Sequence, residues 1–186
     1  MRKTEQILEE YLVASARLGD RVALSRLVSI RGPRLLAHAG RLLGDAEDAR
    51  DVVQEAWIDI VKGLGSLRDD RAFVAWANQI VTRKCARVIR NHQARRTLAD
   101  EVACAPAAPF ADAAAAAADA GTVRAAIRAL PRDQPATMAL FYLEDMSVRD
   151  VARSLDIPVG TVKTRLMHAR AKLRSSLNGG SDEQTR

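Results

Sequence analysis

Apolar residues recur three and four positions apart along most of the chain, which is the spacing of one face of an α-helix. The first such pattern covers residues 4–18, and Asp20 is suited to cap the helix that follows. A Gly-Pro pair at 32–33 predicts a break before a third helical stretch, which ends at Gly44. No segment alternates apolar and polar residues with a period of two, so the chain is predicted to be all-α.

The most regular pattern follows Asp45, whose side chain is suited to cap a helix N-terminus. Its apolar positions predict a broad buried face: Val52, Val53, Ala56, Trp57, Ile60, Val61 and Leu64. Acidic residues three and four apart form a second face, here called the acidic stripe: Asp48, Asp51, Glu55 and Asp59. The spacing leaves two interpretations open, a solvated helix face or a docking surface for a basic partner.

The segment from Gly63 to Arg71 is polar and turn-prone, so it is predicted to be an exposed loop of the kind that often carries recognition residues. Phe73 and Trp76 open the next helix, and we interpret both as core residues rather than as base-stacking ones. The second half of this helix is basic: Arg83, Lys84, Arg87, Arg90, Arg95 and Arg96. Such a face is either solvated or bound to phosphates, and a second basic helix downstream favours nucleic acid.

Residues 98–121 are rich in alanine, contain two prolines and offer few large apolar side chains, so they predict a flexible linker. We therefore expect two small helical domains, residues 1–97 and 122–178, with a disordered tail at 179–186. Within the second domain, Asp133 is suited to cap a helix.

The segment from Ser147 to Arg174 has the pattern of a helix-turn-helix. Ser147 and Asp150 form the S-x-x-D pattern of a capping box, and Pro158 can open the second helix. That second helix has one apolar face and one polar, basic face suited to a major groove. The candidate DNA-contacting residues on it are Thr161, Lys163, Thr164, Arg165, His168 and Arg170.

The composition of the chain favours a polyanionic partner and argues against several other classes of function. The 186 residues are 48% hydrophobic and carry a net charge of +6, which favours a globular protein that binds polyanions. No apolar run is long enough to cross a bilayer, and acidic residues occupy the place of a signal-peptide core, so we expect a cytoplasmic protein without membrane insertion. Cys85 and Cys104 lack metal-ligand spacing, and no catalytic motif is present. We therefore expect no metal, no cofactor and no enzymatic activity.

Three motifs in this order resemble a bacterial RNA polymerase sigma factor of the extracytoplasmic-function (ECF) type. They are GDAEDARDVVQEAW at 44–57, FVAWANQI at 73–80, and the segment at 130–174 that contains GTVKTRL. The resemblance extends from about Gly19 to Leu177. It implies a sigma region 2-like bundle in the first domain and a sigma region 4-like helix-turn-helix domain in the second.

The resemblance also implies roles for residues. Docking on the β′ coiled coil of core RNA polymerase would involve Asp48, Asp51, Gln54, Glu55 and Trp57. Contact with the −10 element and the duplex upstream would involve Leu67, Arg68, Asp69, Arg71, Arg83, Arg87 and Arg90. The second domain would read the −35 element and contact the β flap, and an anti-sigma factor would regulate the protein. Arg83 and Arg87 stand where the family often has Asn and Asp, which leaves the −10 preference open.

Two other functions remain as alternatives. A LuxR-type helix-turn-helix regulator would explain the second domain but not the DVVQE-x-W motif or the acidic stripe. A sigma-like decoy that binds only an anti-sigma factor would be expected to lose basic residues such as Lys163 and Arg165, and these are present.

Overall fold

The computed structural model describes residues 2–99, 130–131 and 133–178 of the chain. All regular structure in these residues is helical, which confirms the prediction of an all-α protein. The chain divides into two units, Met1–Phe110 and Ala111–Arg186. Apart from Leu98 and Ala99, the predicted linker lies outside the described residues, as does the tail, so the predicted domain boundaries stay a prediction. Among the described helices, none combines the length and apolar character needed to cross a membrane.

The described residues of the first unit form four helices and two short 3-10 turns. They are α1 (Arg2–Arg17), α2 (Arg21–Leu43), α3 (Ala46–Gly63), the turns Leu64–Ser66 and Asp70–Ala72, and α4 (Phe73–Ala99). Helix α2 packs against each of the other three, and α3 also packs against α4. The shared core includes Leu27 and Leu35 of α2, Ile60 of α3 and Phe73 of α4. Helix α2 is therefore the centre of this bundle.

Two of the predicted helix caps are confirmed by hydrogen bonds. The Asp45 carboxylate accepts from the backbone N–H groups of Glu47 and Asp48, both at 2.9 Å. Asp20 caps α2 in the same way. Gly44 ends α2 with a φ of +76°, a left-handed conformation that glycine adopts without strain. The connection between α2 and α3 is therefore tight, and it fixes where α3 begins.

The predicted break at residues 32–33 is wrong, because α2 continues through Pro33. A proline inside a helix costs roughly 3 kcal/mol. Leu27 and Leu35, on either side of it, are both fully buried in the same core, and each such burial contributes about 1.5–3 kcal/mol. Arg31 also lies buried in an ion pair with Glu9 of α1. Tertiary packing thus outweighs the local preference of the Gly-Pro pair.

Two titratable groups in this unit are buried in the core. The His38 ring lies 2.9 Å from the Thr82 hydroxyl, which joins α2 to α4. Burial, together with the nearby positive charge of Arg41, lowers the pKa of His38 from 6.5 to about 3. Cys85 of α4 is 1% exposed, and burial raises the pKa of its thiol to about 12. At neutral pH both groups are therefore uncharged.

The second unit contains α5 (Gln134–Tyr142), α6 (Val148–Leu155) and α7 (Val159–Asn178) in its described residues. The Ser147 hydroxyl accepts from the Asp150 N–H at 3.2 Å, as the capping pattern predicts. Asp156 ends α6 with a φ of +55°, and α7 begins two residues after Ile157. Both α5 and α6 pack on α7, so the three helices form a helix-turn-helix with a supporting helix.

The burial of His38 predicts a specific acid sensitivity. Between about pH 6.5 and pH 3 the unfolded chain binds a proton at this histidine and the folded protein does not. The free energy of unfolding should therefore fall as the pH drops through this window. Urea unfolding at pH 7, 5.5 and 4.5 measures the slope, which His38→Gln should reduce. His168→Gln, at an exposed histidine of α7, is the matched control. Parallel curves for the unchanged protein and His38→Gln would contradict the prediction.

Candidate functional site

Helix α7 has one buried face and one polar face. The buried side consists of Val162, Leu166 and Ala169, which are 0–3% exposed. Lys163, Thr164 and His168 are exposed, whereas Thr161 and Arg165 are half-buried. The Thr164 hydroxyl donates to the Gly160 carbonyl at 3.0 Å. The rotation of α7 about its axis is thus set by burial, and it turns Lys163, Thr164 and His168 outward.

Arg165 is held by an acidic residue from outside its own helix. Its Nε donates to Oδ2 of Asp133 at 2.8 Å, and 24% of the Arg165 side chain is exposed. Asp133 stands at the N-cap position of α5, as predicted, but makes no side-chain cap hydrogen bond. Its carboxylate binds the arginine instead of the helix terminus. Sequence spacing could not show this contact, because it joins two helices.

Arg170 lies in a different environment from Arg165. Its Nε donates to the Tyr142 hydroxyl at 2.6 Å, and its guanidinium carbon lies 5.8 Å and 5.6 Å from the ring centroids of Phe141 and Tyr142. Five residues of an α-helix also turn its direction about 140° away from that of Arg165. The structure therefore places Arg170 against the end of α5, whereas Arg165 lies on another side of α7.

The acidic stripe of α3 is partly neutralised by α4. Lys84 Nζ lies 2.7 Å from an Asp59 oxygen and 3.4 Å from a Glu55 oxygen, and Arg87 lies 3.8 Å from Glu55. The hydrogen bond from Lys84 lowers the pKa of Asp59, and the same contact raises the pKa of Lys84. At the N-terminal end of the stripe, His92 approaches Asp48 at 3.7 Å. Much of the stripe thus faces basic residues of the same chain.

A second exposed face of α3 carries apolar residues. Ile58 is 51% exposed and Val61 46%, so the prediction that Val61 is buried is wrong. Gln54 and Asp51 are exposed and continue this face at helical spacing. We call Asp51, Gln54, Ile58 and Val61 the outer face of α3. Ile58 was not among the residues predicted to dock, although it lies four residues after Gln54 and therefore on the same side of the helix.

Trp57, predicted to take part in docking, is half-buried in the bundle and contributes to the core. Its indole nitrogen would lie 4.0 Å from a Cβ at Gly32 of α2. Trp57 therefore supports α3 on α2 more than it extends the outer face.

The connection from α3 to α4 is anchored by apolar residues and carries exposed polar ones. Leu64 and Leu67 are buried, so Leu67 does not lie in an exposed loop as predicted. Arg68, Asp69 and Arg71 are exposed. The Asp69 carboxylate accepts from the backbone N–H of Arg71 at 3.0 Å and from its Nε at 3.2 Å, and these bonds lower the pKa of Asp69.

A contact from α1 also holds this connection. Arg17, at the end of α1, donates to Asp70 at 2.6 Å. The backbone that carries the exposed residues is therefore fixed from both sides, by two buried leucines and by this ion pair.

The basic side of α4 is exposed at three of the predicted DNA-contacting positions, Arg83, Arg87 and Arg90. The side chains of Arg95 and Arg96, which continue the basic run, lie outside the described residues. At the start of the same helix Phe73 is 1% exposed, which confirms it as a core residue, and Trp76 is half-buried beside it. In the described part of the chain, no cluster of His, Cys, Asp and Glu side chains is arranged to hold a metal ion.

Comparison with known proteins identifies two segments. A model of sigma-70 region 2 matches residues 27–95, and a model of sigma-70 region 4 matches residues 120–173. The chain is 35% identical over 163 residues to the ECF RNA polymerase sigma factor SigM of Mycobacterium tuberculosis, a match covering 87% of this chain and 81% of that relative. It is 30% identical to the RNA polymerase sigma-H factor of Pseudomonas aeruginosa, over 91% of this chain and 93% of the relative.

The fold is similar to that of the sigma factor RpoE of Bartonella quintana, solved with the anti-sigma factor NepR. The TM-score is 0.68, the sequence identity is 22%, and the match covers 86% of this chain and 98% of that one. At this identity the likeness concerns the fold.

The position of the Trp76 ring predicts that a side chain at Gly63 would destabilise the end of α3. A Cβ at Gly63 would lie 2.9 Å from the Trp76 ring, whereas a Cβ at Gly65 would meet nothing within 4 Å. Overpacking of this kind costs about 1–3 kcal/mol, against the roughly 0.5–1 kcal/mol that replacing a helical glycine returns. Gly63→Ala should therefore lower the free energy of urea unfolding by about 1 kcal/mol. Gly65→Ala is the matched control and should not lower it. Equal stability of the two variants would show that the ring moves aside freely.

Proposed function

The chain belongs to the ECF sigma factors of the sigma-70 family, which direct transcription initiation by RNA polymerase, and we propose that its two units divide this work between docking and promoter contact. The observation that carries the proposal is the presence of a region 2 match and a region 4 match, in that order, on one chain. A LuxR-type regulator leaves the region 2 match unexplained. A decoy would have no use for the outward basic residues of α7.

Docking on the β′ coiled coil of core RNA polymerase uses the outer face of α3 in this proposal. Ile58 and Val61 offer apolar area to a partner, and Asp51 and Gln54 supply a polar edge, a combination typical of protein interfaces. Glu55 is less available than the sequence indicated, because Lys84 and Arg87 already approach it. The apolar residues, rather than the charge of the acidic stripe, therefore supply most of the docking free energy.

The −10 element is contacted by the connection between α3 and α4. Arg68, Asp69 and Arg71 are exposed on a backbone fixed by buried leucines and by Arg17. A loop that is already ordered loses less conformational entropy when it binds a strand or a flipped base. Arg83, Arg87 and Arg90 of α4 supply phosphate contacts to the duplex upstream, where each contact adds salt-sensitive affinity.

The −35 element is read by α7 in the major groove. Thr161, Lys163, Thr164, Arg165 and His168 form the reading set, and Arg170 stabilises the unit through Tyr142. The same unit contacts the β flap in this proposal. An anti-sigma factor regulates the protein in the cytoplasm, as the NepR complex of the Bartonella quintana relative suggests by analogy. The chain supplies binding free energy for an opened promoter, and the polymerase forms the phosphodiester bonds.

A reconstituted transcription assay tests the proposal. Core RNA polymerase, mixed with the purified chain and genomic promoter fragments, should initiate at defined sites that core polymerase alone does not use. If the mixture never initiates while the chain alone binds a specific duplex, the LuxR-type function replaces the proposal. If the chain binds neither core polymerase nor DNA but captures an anti-sigma protein, the decoy function replaces it.

A pair of substitutions tests the docking face. Ile58→Ala combined with Val61→Ala should lower the affinity for core RNA polymerase at least 10-fold, because the two substitutions remove apolar groups that contribute about 0.8 kcal/mol per CH2 when buried. The matched control is Val22→Ala with Val28→Ala, a pair of exposed valines on α2 that should leave the affinity unchanged. Fluorescence anisotropy of the labelled chain gives the dissociation constants, and circular dichroism verifies folding. If the Ile58→Ala, Val61→Ala variant binds core RNA polymerase with unchanged affinity, the outer face of α3 is not part of the interface.

A further inference from the structure

Asp133, the N-cap residue of α5, forms an ion pair with Arg165 of α7. We propose that Asp133 is a positioning residue that orients the Arg165 guanidinium and thereby sets a base preference in the −35 element. The inference rests on the proposed function, in which α7 enters the major groove. It adds a residue that makes no base contact itself and acts through the arginine.

The geometry of the contact leaves the reading end of the arginine open. Asp133 accepts from Nε of Arg165 at 2.8 Å, and Nε is the inner donor of the guanidinium group. The two terminal nitrogens are the ones that make a bidentate contact with O6 and N7 of guanine. A carboxylate on Nε therefore restricts the plane of the group, while the contact itself uses neither terminal nitrogen. The preferred base at this position is guanine.

The backbone beneath Asp133 is itself held in place. The Thr137 hydroxyl, which is fully buried, donates to the Asp133 carbonyl at 2.9 Å. The next residue, Gln134, donates its N–H to the Pro131 carbonyl at 2.9 Å. The backbone from which the Asp133 side chain reaches Arg165 is thus held in place, and α5 itself packs against α7.

Asp133 also departs from the ordinary use of an acidic residue at a helix start. In the same unit Ser147 caps α6 through a hydrogen bond from the Asp150 N–H. Asp133 occupies the equivalent position of α5 without such a bond. Helix capping therefore does not account for the residue, whereas the arginine contact does.

Charge predicts a second effect of the same pair. A carboxylate next to a DNA-facing helix repels phosphates and reduces affinity for DNA of any sequence. Asp133 therefore lowers non-specific affinity and, by fixing Arg165, raises discrimination between bases. Removal of its charge should move these two quantities in opposite directions, which a purely structural role would not do.

The experiment uses full-length chain bound to core RNA polymerase and a promoter library randomised across the upstream element. Transcripts are sequenced for the unchanged protein, Asp133→Asn, Arg165→Ala and the double variant. Arg165→Ala should remove a guanine preference of between about 5-fold and 100-fold at one or two positions. Asp133→Asn should reduce the preference at the same positions at least 3-fold, and should increase initiation from mismatched promoters. The double variant should match Arg165→Ala, because Asp133 acts through the arginine.

A matched control separates positioning from net charge. Asp150→Asn removes one negative charge from the same unit at a residue that contacts Ser147 and Arg153. Its base profile should equal that of the unchanged protein. Thermal unfolding of each variant verifies that the second unit stays folded.

Two results would overturn the inference. In the first, Asp133→Asn keeps the full guanine preference that Arg165→Ala loses, so the carboxylate does not orient the arginine. In the second, Arg165→Ala itself changes no base preference, so there is no reading contact to orient. In both cases core-dependent initiation by the unchanged protein would still support the sigma function, because that result does not depend on Asp133.

Discussion

The packing of α2 against α1, α3 and α4 is the contact on which the first unit depends. Leu27 and Leu35 keep this helix continuous through Pro33, and the buried pair of Arg31 with Glu9 attaches α1 to it. Through that attachment Arg17 reaches Asp70, so the order of the α3–α4 connection also derives from α2. An interruption at Pro33 would therefore affect the proposed −10 contacts, although the proline lies outside them.

Charge in this chain is shared between surfaces that the sequence presents as separate. The acidic stripe of α3 and the basic side of α4 look like two binding faces, one for a protein and one for DNA. In the fold they lie side by side, and Lys84 contacts both Glu55 and Asp59. Each face thus presents less net charge than its residues indicate. Apolar area and fixed geometry then contribute more to recognition than the raw count of charged residues suggests.

The sequence predicted the structural features that depend on neighbouring residues, namely the helices and their caps. Periodicity indicated an all-α chain, and the short-range caps at Asp20, Asp45 and Ser147 formed as expected because each needs only two or three neighbouring residues. The errors arose where distant residues decide. Helix α2 continues through Pro33 because of its partners, and Val61 is exposed because the core contact of α3 is narrower than its apolar stripe. Helical spacing was enough to assign Arg165 to the reading face. It could not predict that Asp133, at the start of another helix, would contact this arginine.

The burial of Cys85 means that the reactivity of its thiol can be used to measure local unfolding of the first unit. A thiol that is 1% exposed, with a pKa near 12, hardly reacts with alkylating reagents while α4 stays packed. Its labelling rate would then follow the population of molecules in which α4 has separated from the bundle, as amide exchange does for backbone groups. The Cys85 side chain therefore reports local unfolding from the middle of the first unit, without an introduced cysteine.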